Sequence, residues 1–205
     1  MGKWGANIGL LVVATTWGTV VPIIGYLAQV WDPFFLGSLR YCAGAPVLLL
    51  LLLWWQERRK IGLPAISWWK PVLLGTIGLG LFAPLYTVGV AHANPVVAAV
   101  LSAANPVIAA IVAWVTFREP INRRMLPAIT LAVIGCGLAT IDLSKLDPGS
   151  SIFVIRGGEI LILAAACCWT WYSITAQRWL QGWSQLRISA STIGGGVPML
   201  LGVYV

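Results

Sequence analysis

Arg40 is the one charged residue that falls well inside an apolar run. It lies about seven residues, or about 10 Å of helical rise, from the nearer end of that run. A guanidinium at such depth in a bilayer costs roughly 3 kcal/mol on insertion scales. Two readings account for it. It faces a cavity and holds a carboxylate or another anionic group, or it snorkels to the interface and bonds neighbouring carbonyls. Asn105-Pro106 is the second candidate. Proline has no amide hydrogen and frees the carbonyl of Ser102, four residues back. Ser102, Asn105 and the loosened backbone then offer polar groups at the centre of an apolar segment, as a site or hinge. The alternative is a packing kink satisfied by neighbouring helices. Trp17, Pro22, Tyr86, Trp169, Trp171 and Tyr172 add large groups near the centres of their runs. Indole and phenol groups seek partners when buried, so a cavity lined by them suits organic solutes better than bare ions. Each of them alone also reads as a packing or lipid-facing residue. His92 and Glu119 are gate candidates at opposite ends of the same region. Their plainer readings are a satisfied interfacial histidine and a surface pair among Arg118, Arg123 and Arg124.

The elements that position these residues follow from composition. Of 205 residues, 59% are hydrophobic and 9% charged. Water-soluble domains carry about a quarter charged residues, so this chain cannot coat a soluble surface. The net charge of +7 sits in short clusters between apolar runs. That pattern excludes a basic face for nucleic acid. The four cysteines lie inside apolar runs, without a CxxC pair or a histidine at metal-ligand spacing. No cofactor or metal is expected.

A bilayer core of about 30 Å needs about 20 apolar residues in a helix. Seven runs qualify as candidate transmembrane helices, at about 4–30, 34–55, 71–91, 95–117, 126–141, 158–180 and 188–205. Backbone satisfaction in lipid makes them helices, and their length excludes barrel strands. Asn94-Pro95 reads as a cap with proline at the first helical position. Lys3, Arg58, Arg59, Lys60, Lys70, Arg118, Arg123, Arg124, Arg178 and Arg187 fall on one side under strict alternation, against Lys145 and Arg156 on the other. The basic side is cytoplasmic, which places the N-terminus inside.

Offset by 152 positions, the chain matches itself. Ile8, Leu11, Ala14 and Trp17 meet Ile160, Leu163, Ala166 and Trp169. Gln29 and Trp31 meet Gln181 and Trp183. Gly44, Pro46, Leu48 and Leu49 meet Gly196, Pro198, Leu200 and Leu201. The unit holds five helices, an odd number, so the second copy starts on the opposite side. Such inverted repeats are typical of secondary transporters, although duplication also arises without transport. The small residues Gly5 and Gly9, Gly75, Gly78 and Gly80, and Gly194, Gly195 and Gly196 are expected to allow close helix approach.

Several motifs carry a family resemblance. Trp17-Gly18 is followed by Asp32-Pro33 and Leu39-Arg40-Tyr41. Tyr86, Gly89, Val90 and Asn94 then lead to Asn105-Pro106. Phe117-Arg118-Glu119-Pro120-Ile121 and Ile134-Gly135-Cys136-Gly137-Leu138 complete the series. In this order and spacing the first 143 residues resemble the EamA repeat of the drug/metabolite transporter superfamily. The resemblance implies an all-α transmembrane bundle of ten helices in two inverted five-helix repeats. About seven of the ten are present here. Residues 4–143 would form the first repeat, 144–156 an extracytoplasmic loop, and 157–205 an incomplete second repeat. It also implies a multi-pass carrier of a bacterial inner membrane that exports small organic metabolites, such as amino acids, or drugs. Its partners would be a small-molecule substrate and the lipid bilayer, with oligomeric state left open. Because the second repeat stops in its second helix, the 205-residue chain alone is expected not to transport.

Rival classes lack their residues. Paired intramembrane aspartates and H-E-x-x-H are absent from the sequence. Ser102 has no histidine base within its own span, because His92 lies at the outer end of the preceding one, about 15 Å of helical rise away. No channel filter motif occurs. A non-transporting membrane scaffold or an intramembrane enzyme stays open as the alternative. All six acidic residues fall at span ends or in loops, so coupling through a mid-membrane carboxylate finds no candidate.

Overall fold

The computed structural model describes residues 3–59, 67–120, 123–139, 141 and 156–204. Helix α1 runs Lys3–Leu27 and α2 runs Pro33–Arg59. Asp32 starts α2: its Oδ1 accepts from the amides of Phe34 and Phe35 at 2.8 and 3.0 Å. Pro33 then takes the first position, where an amide hydrogen has no helical partner. The next span is continuous over Trp69–His92 but not uniform. It opens as α3 (Trp69–Gly75), widens into a π-helical segment at Thr76–Leu81 and continues as α4 (Phe82–His92). Asn94 caps α5 (Pro95–Ala103) as expected, its side chain accepting from the Val96 amide at 2.9 Å.

The run at 95–117 is not one rod. It breaks at Ala104 into α5 and α6 (Asn105–Phe117), which are bent by 50°. The cause is Pro106, which cannot donate to Ser102. A short 3-10 turn at Arg123–Met125 leads into α7 (Leu126–Ala139). Two further helices follow, α8 (Gly158–Trp179) and α9 (Gln185–Tyr204). The loop expected at 144–156 lies outside the described residues except for Arg156.

Among the described residues, four helices are long and apolar enough to cross a membrane: α1, α2, the Trp69–His92 span and α8. The bent α5–α6 pair makes a fifth if it counts as one span. The other two runs give shorter or more polar helices. α7 has 14 residues, about 21 Å of rise, and α9 opens with Gln185, Arg187, Ser189, Ser191 and Thr192.

The core sits around α8. It packs on α4, the π-helical segment, α5 and α6, while α9 packs on α2, α3 and the π-helical segment. α1 lies at the edge, with most of its surface exposed. Glycine makes the crossings close. A Cβ on Gly75 would strike the carbonyl oxygen of Thr192, and one on Gly195 would sit 2.7 Å from the Cα of Val72. Farther along the same span, Gly89 and Gly158 bring α4 and α8 into backbone contact. Other expected small-residue contacts are not made: a Cβ on Gly5, Gly9 or Gly194 meets nothing within 4 Å among the described residues.

Polar contacts then fix the two ends of the bundle. At one end, Glu159 is only 5% exposed. Its carboxylate accepts from the Arg156 amide at 3.0 Å and from the Asn94 amide at 3.3 Å. Ser38 donates to the carbonyl of Leu200 at the same end, joining α2 to α9. At the opposite end, Arg178 of α8 pairs with Glu119 and lies 4.1 Å from the centre of the Phe117 ring. Trp69 packs edge-on against Trp179 there, with ring centres 5.5 Å apart. Glu159 is at a span end as its sequence position implies, but it is buried and ties two helices together.

Candidate functional site

Five aromatic residues meet where α1, α4 and α8 converge. Trp169 of α8 is their hub. Its ring centre lies 5.9 Å from Trp17, 5.3 Å from Phe82 and 5.4 Å from Tyr172. Phe82 stacks on Tyr86 at 5.3 Å with 19° between planes. The spacing is helical: Phe82 and Tyr86 are four apart and share a face of α4. That face is buried, since Phe82 and Tyr86 are each 5% exposed.

These rings wall two adjoining compartments. The larger, of about 300 Å³, is lined by Trp17, Phe82, Tyr86 and Trp169, with Arg40 and Tyr41 of α2 on a further wall. The Arg40 guanidinium donates to the Tyr41 hydroxyl at 3.2 Å and lies 4.9 Å from the centre of that ring. Arg40 is thus held by a neutral phenol, and no carboxylate bonds it among the described residues. The smaller compartment, of about 10 Å³, shares the same four rings and adds Ser102 and Asn105. Ser102 Oγ donates to the Ala98 carbonyl at 2.8 Å. The Oδ1 of Asn105 is buried and accepts nothing among the described residues. A third, more open cleft of about 600 Å³ runs between α1 and the α4–α5 region, past Trp17, Gly18, Pro22 and Ser102.

Trp17, Arg40, Tyr86, Ser102, Asn105 and Trp169 are therefore brought together around one aromatic-lined space. Tyr172 stands behind it: it is buried, shares a hydrogen bond with Thr192 at 3.1 Å and packs on Trp169. Pro106 is exposed and shapes the bend without lining either compartment. His92 is exposed at the Glu159 end, its Nδ1 2.9 Å from the Val88 carbonyl, and Glu119 is at the Arg178 end. Both lie away from the aromatic space. Phe82 and Tyr41 also line it, although the sequence offered neither as a site candidate and Tyr41 stood only in the Leu39-Arg40-Tyr41 motif. Phe82 is one apolar residue in an apolar run, and nothing in its type marks it. Tyr41 had a usable signal, because a phenol beside a membrane arginine is a ready partner for it.

A family model settles what kind of molecule is built this way. The model of the EamA-like transporter family matches residues 4–141, from the start of α1 to just past α7. The chain belongs to the EamA-like transporter family. No curated protein and no solved structure matches it. As an EamA-like protein it is a multi-pass membrane transporter of the drug/metabolite transporter superfamily, with a small-molecule substrate. Trp17, Arg40, Tyr86, Ser102 and Asn105 lie inside the matched range. Trp169 and Glu159 lie beyond it, on α8, yet α8 supplies the hub of the aromatic space.

Proposed function

We propose that this EamA-like protein is a secondary transporter that exports small organic metabolites by alternating access, with the aromatic space as its central pathway. Amino acids, related metabolites and drugs are the solute classes in view. One observation carries the reading: Trp17 and Trp169, equivalent in the 152-residue repeat, meet with ring centres 5.9 Å apart on the wall of a cavity that also holds Arg40. Residues close to a pseudo-twofold axis touch their own counterparts. A solute site on such an axis is met in the same way by two inverted halves, which alternating access requires. Arg40 supplies the charge. A guanidinium whose one hydrogen-bond partner among the described residues is a phenol keeps donors for a carboxylate or similar group. The test is flux by the protein with both five-helix repeats in full, the form used for every transport measurement: vesicles bearing it and loaded with a labelled mixture of organic acids and amino acids should release some of them saturably. Release no faster than from protein-free vesicles, for every solute, would sink the reading in favour of a scaffold.

The proposed orientation places the N-terminus and the Arg178 end in the cytoplasm of a bacterial cell, and the Glu159 end outside. The ten-to-two bias of basic residues supports it. In a cysteine-free background, Arg156→Cys should react with an impermeant maleimide added to intact cells, and Gln181→Cys only after permeabilisation. The reverse labelling pattern would overturn the orientation.

A further inference from the structure

The small compartment beside the cavity contains an oxygen that its surroundings leave alone. Asn105 Oδ1 is buried, lines this compartment and accepts no hydrogen bond among the described residues. Such an acceptor carries the desolvation cost of its group for as long as it is left unmet. We propose that the compartment is a cation subsite, which receives the protonated amine of a transported solute. The proposal rests on the aromatic space being a solute pathway, and it adds the charge and size of the group admitted there.

Three features select an ammonium over other donors. The first is the set of walls. The rings of Trp17, Phe82, Tyr86 and Trp169 line the space, and an aromatic ring attracts a cation that reaches its face. The second is the polarity of the remaining groups. Ser102 Oγ gives its hydrogen to Ala98 and offers only lone pairs. The Ser102 carbonyl has lost its helical donor, because Pro106 has no amide hydrogen. The carbonyl end of α5 and the amide end of α6 meet at Ala104 and are opposite in sign, so their fields partly cancel there. The third is size. About 10 Å³ is room for the centre of one water-sized group. An ammonium head fits that space, and a carboxylate with its two oxygens does not. Of the two spaces, Arg40 lines the larger and not the smaller.

The experiment compares solutes that share a skeleton. Equilibrium binding of tryptamine, tryptophol and indole-3-acetate is measured on the protein in lipid nanodiscs, and flux is measured on the same preparation after reconstitution into sealed vesicles. Tryptamine and tryptophol both donate hydrogen bonds, and only tryptamine is charged. Tryptamine should bind roughly fivefold or more tighter than tryptophol. Asn105→Leu should abolish that preference. Asn105→Asp, which places a charge at the same atom, should enlarge it, so the proposal does not depend on the leucine variant folding. Equal binding of tryptamine and tryptophol to the unaltered protein would overturn the subsite. So would a preference for indole-3-acetate that disappears in Asn105→Leu, which would mean that the amide nitrogen faces the space. In either case, saturable flux by the same preparation leaves the pathway reading standing, whereas its absence removes that reading on separate grounds.

Discussion

Arg40→Ala should lower saturable solute flux about tenfold or more, with the protein still reaching the membrane in normal amount. The size follows from what is removed. Hydrogen bonds to a charged group contribute about 1.5–3 kcal/mol, and each 1.4 kcal/mol is a factor of ten in affinity. The folding cost should be small by comparison. Arg40 is exposed, and its hydrogen-bond partner is the neighbouring Tyr41 hydroxyl, which the cavity leaves open to other donors. Arg40→Lys keeps the charge but loses the planar fork, so it should recover only part of the flux. Transport assays on variants matched for membrane content will read this directly. Unchanged flux in Arg40→Ala would return the residue to a snorkelling or packing role.

The largest structural effect is expected at Gly75. A single methyl there would overlap the Thr192 carbonyl oxygen and sit 2.9 Å from the Gly196 amide nitrogen. Both obstacles are backbone, so neither can rotate away as a side chain would. Overpacking costs about 1–3 kcal/mol where neighbours can shift, and Gly75→Ala should reach or exceed the top of that range. Gly9→Ala is the control, because the added carbon meets nothing within 4 Å among the described residues. Thermal melts of the purified variants in detergent should show Gly75→Ala well below the parent and Gly9→Ala close to it. Equal melting temperatures would mean that α3 and α9 do not cross as described.

The two glycines also show where sequence reading stops. Both lie in apolar runs with small-residue spacing, and nothing in the string separates a crossing point from an open face. In a soluble helix the polar side marks what is exposed. In lipid both sides are apolar, so that mark is missing. α1 illustrates the loss: Leu10, Leu11, Val12 and Val13 are all exposed, while Val21 and Ile24 of the same helix are buried. The features that were legible have a chemical cause in one or two residues. Asn94-Pro95 caps α5, Pro106 breaks the long run, and Arg40 and the tryptophans stand out by their cost or bulk. The π-helical segment has no such signature. The burial of Glu159 has none either, because distance along the chain from a span centre says nothing about which helix covers that position in space.

α8 is held differently at its two ends. The carboxylate of Glu159 is buried and takes backbone amides from its own approach and from the start of α5. Arg178 and Glu119 are 41% and 55% exposed and meet through long side chains. Backbone amides cannot swing aside, and water and salt reach them poorly. An exposed ion pair re-forms over a range of positions and weakens as ions screen it. A rod pinned at one end and leashed at the other swings about the pin instead of sliding along its length. Trp169, midway between the two ties, would then trace a small arc across the face of Trp17, and the wall they share would widen on one side as it narrowed on the other.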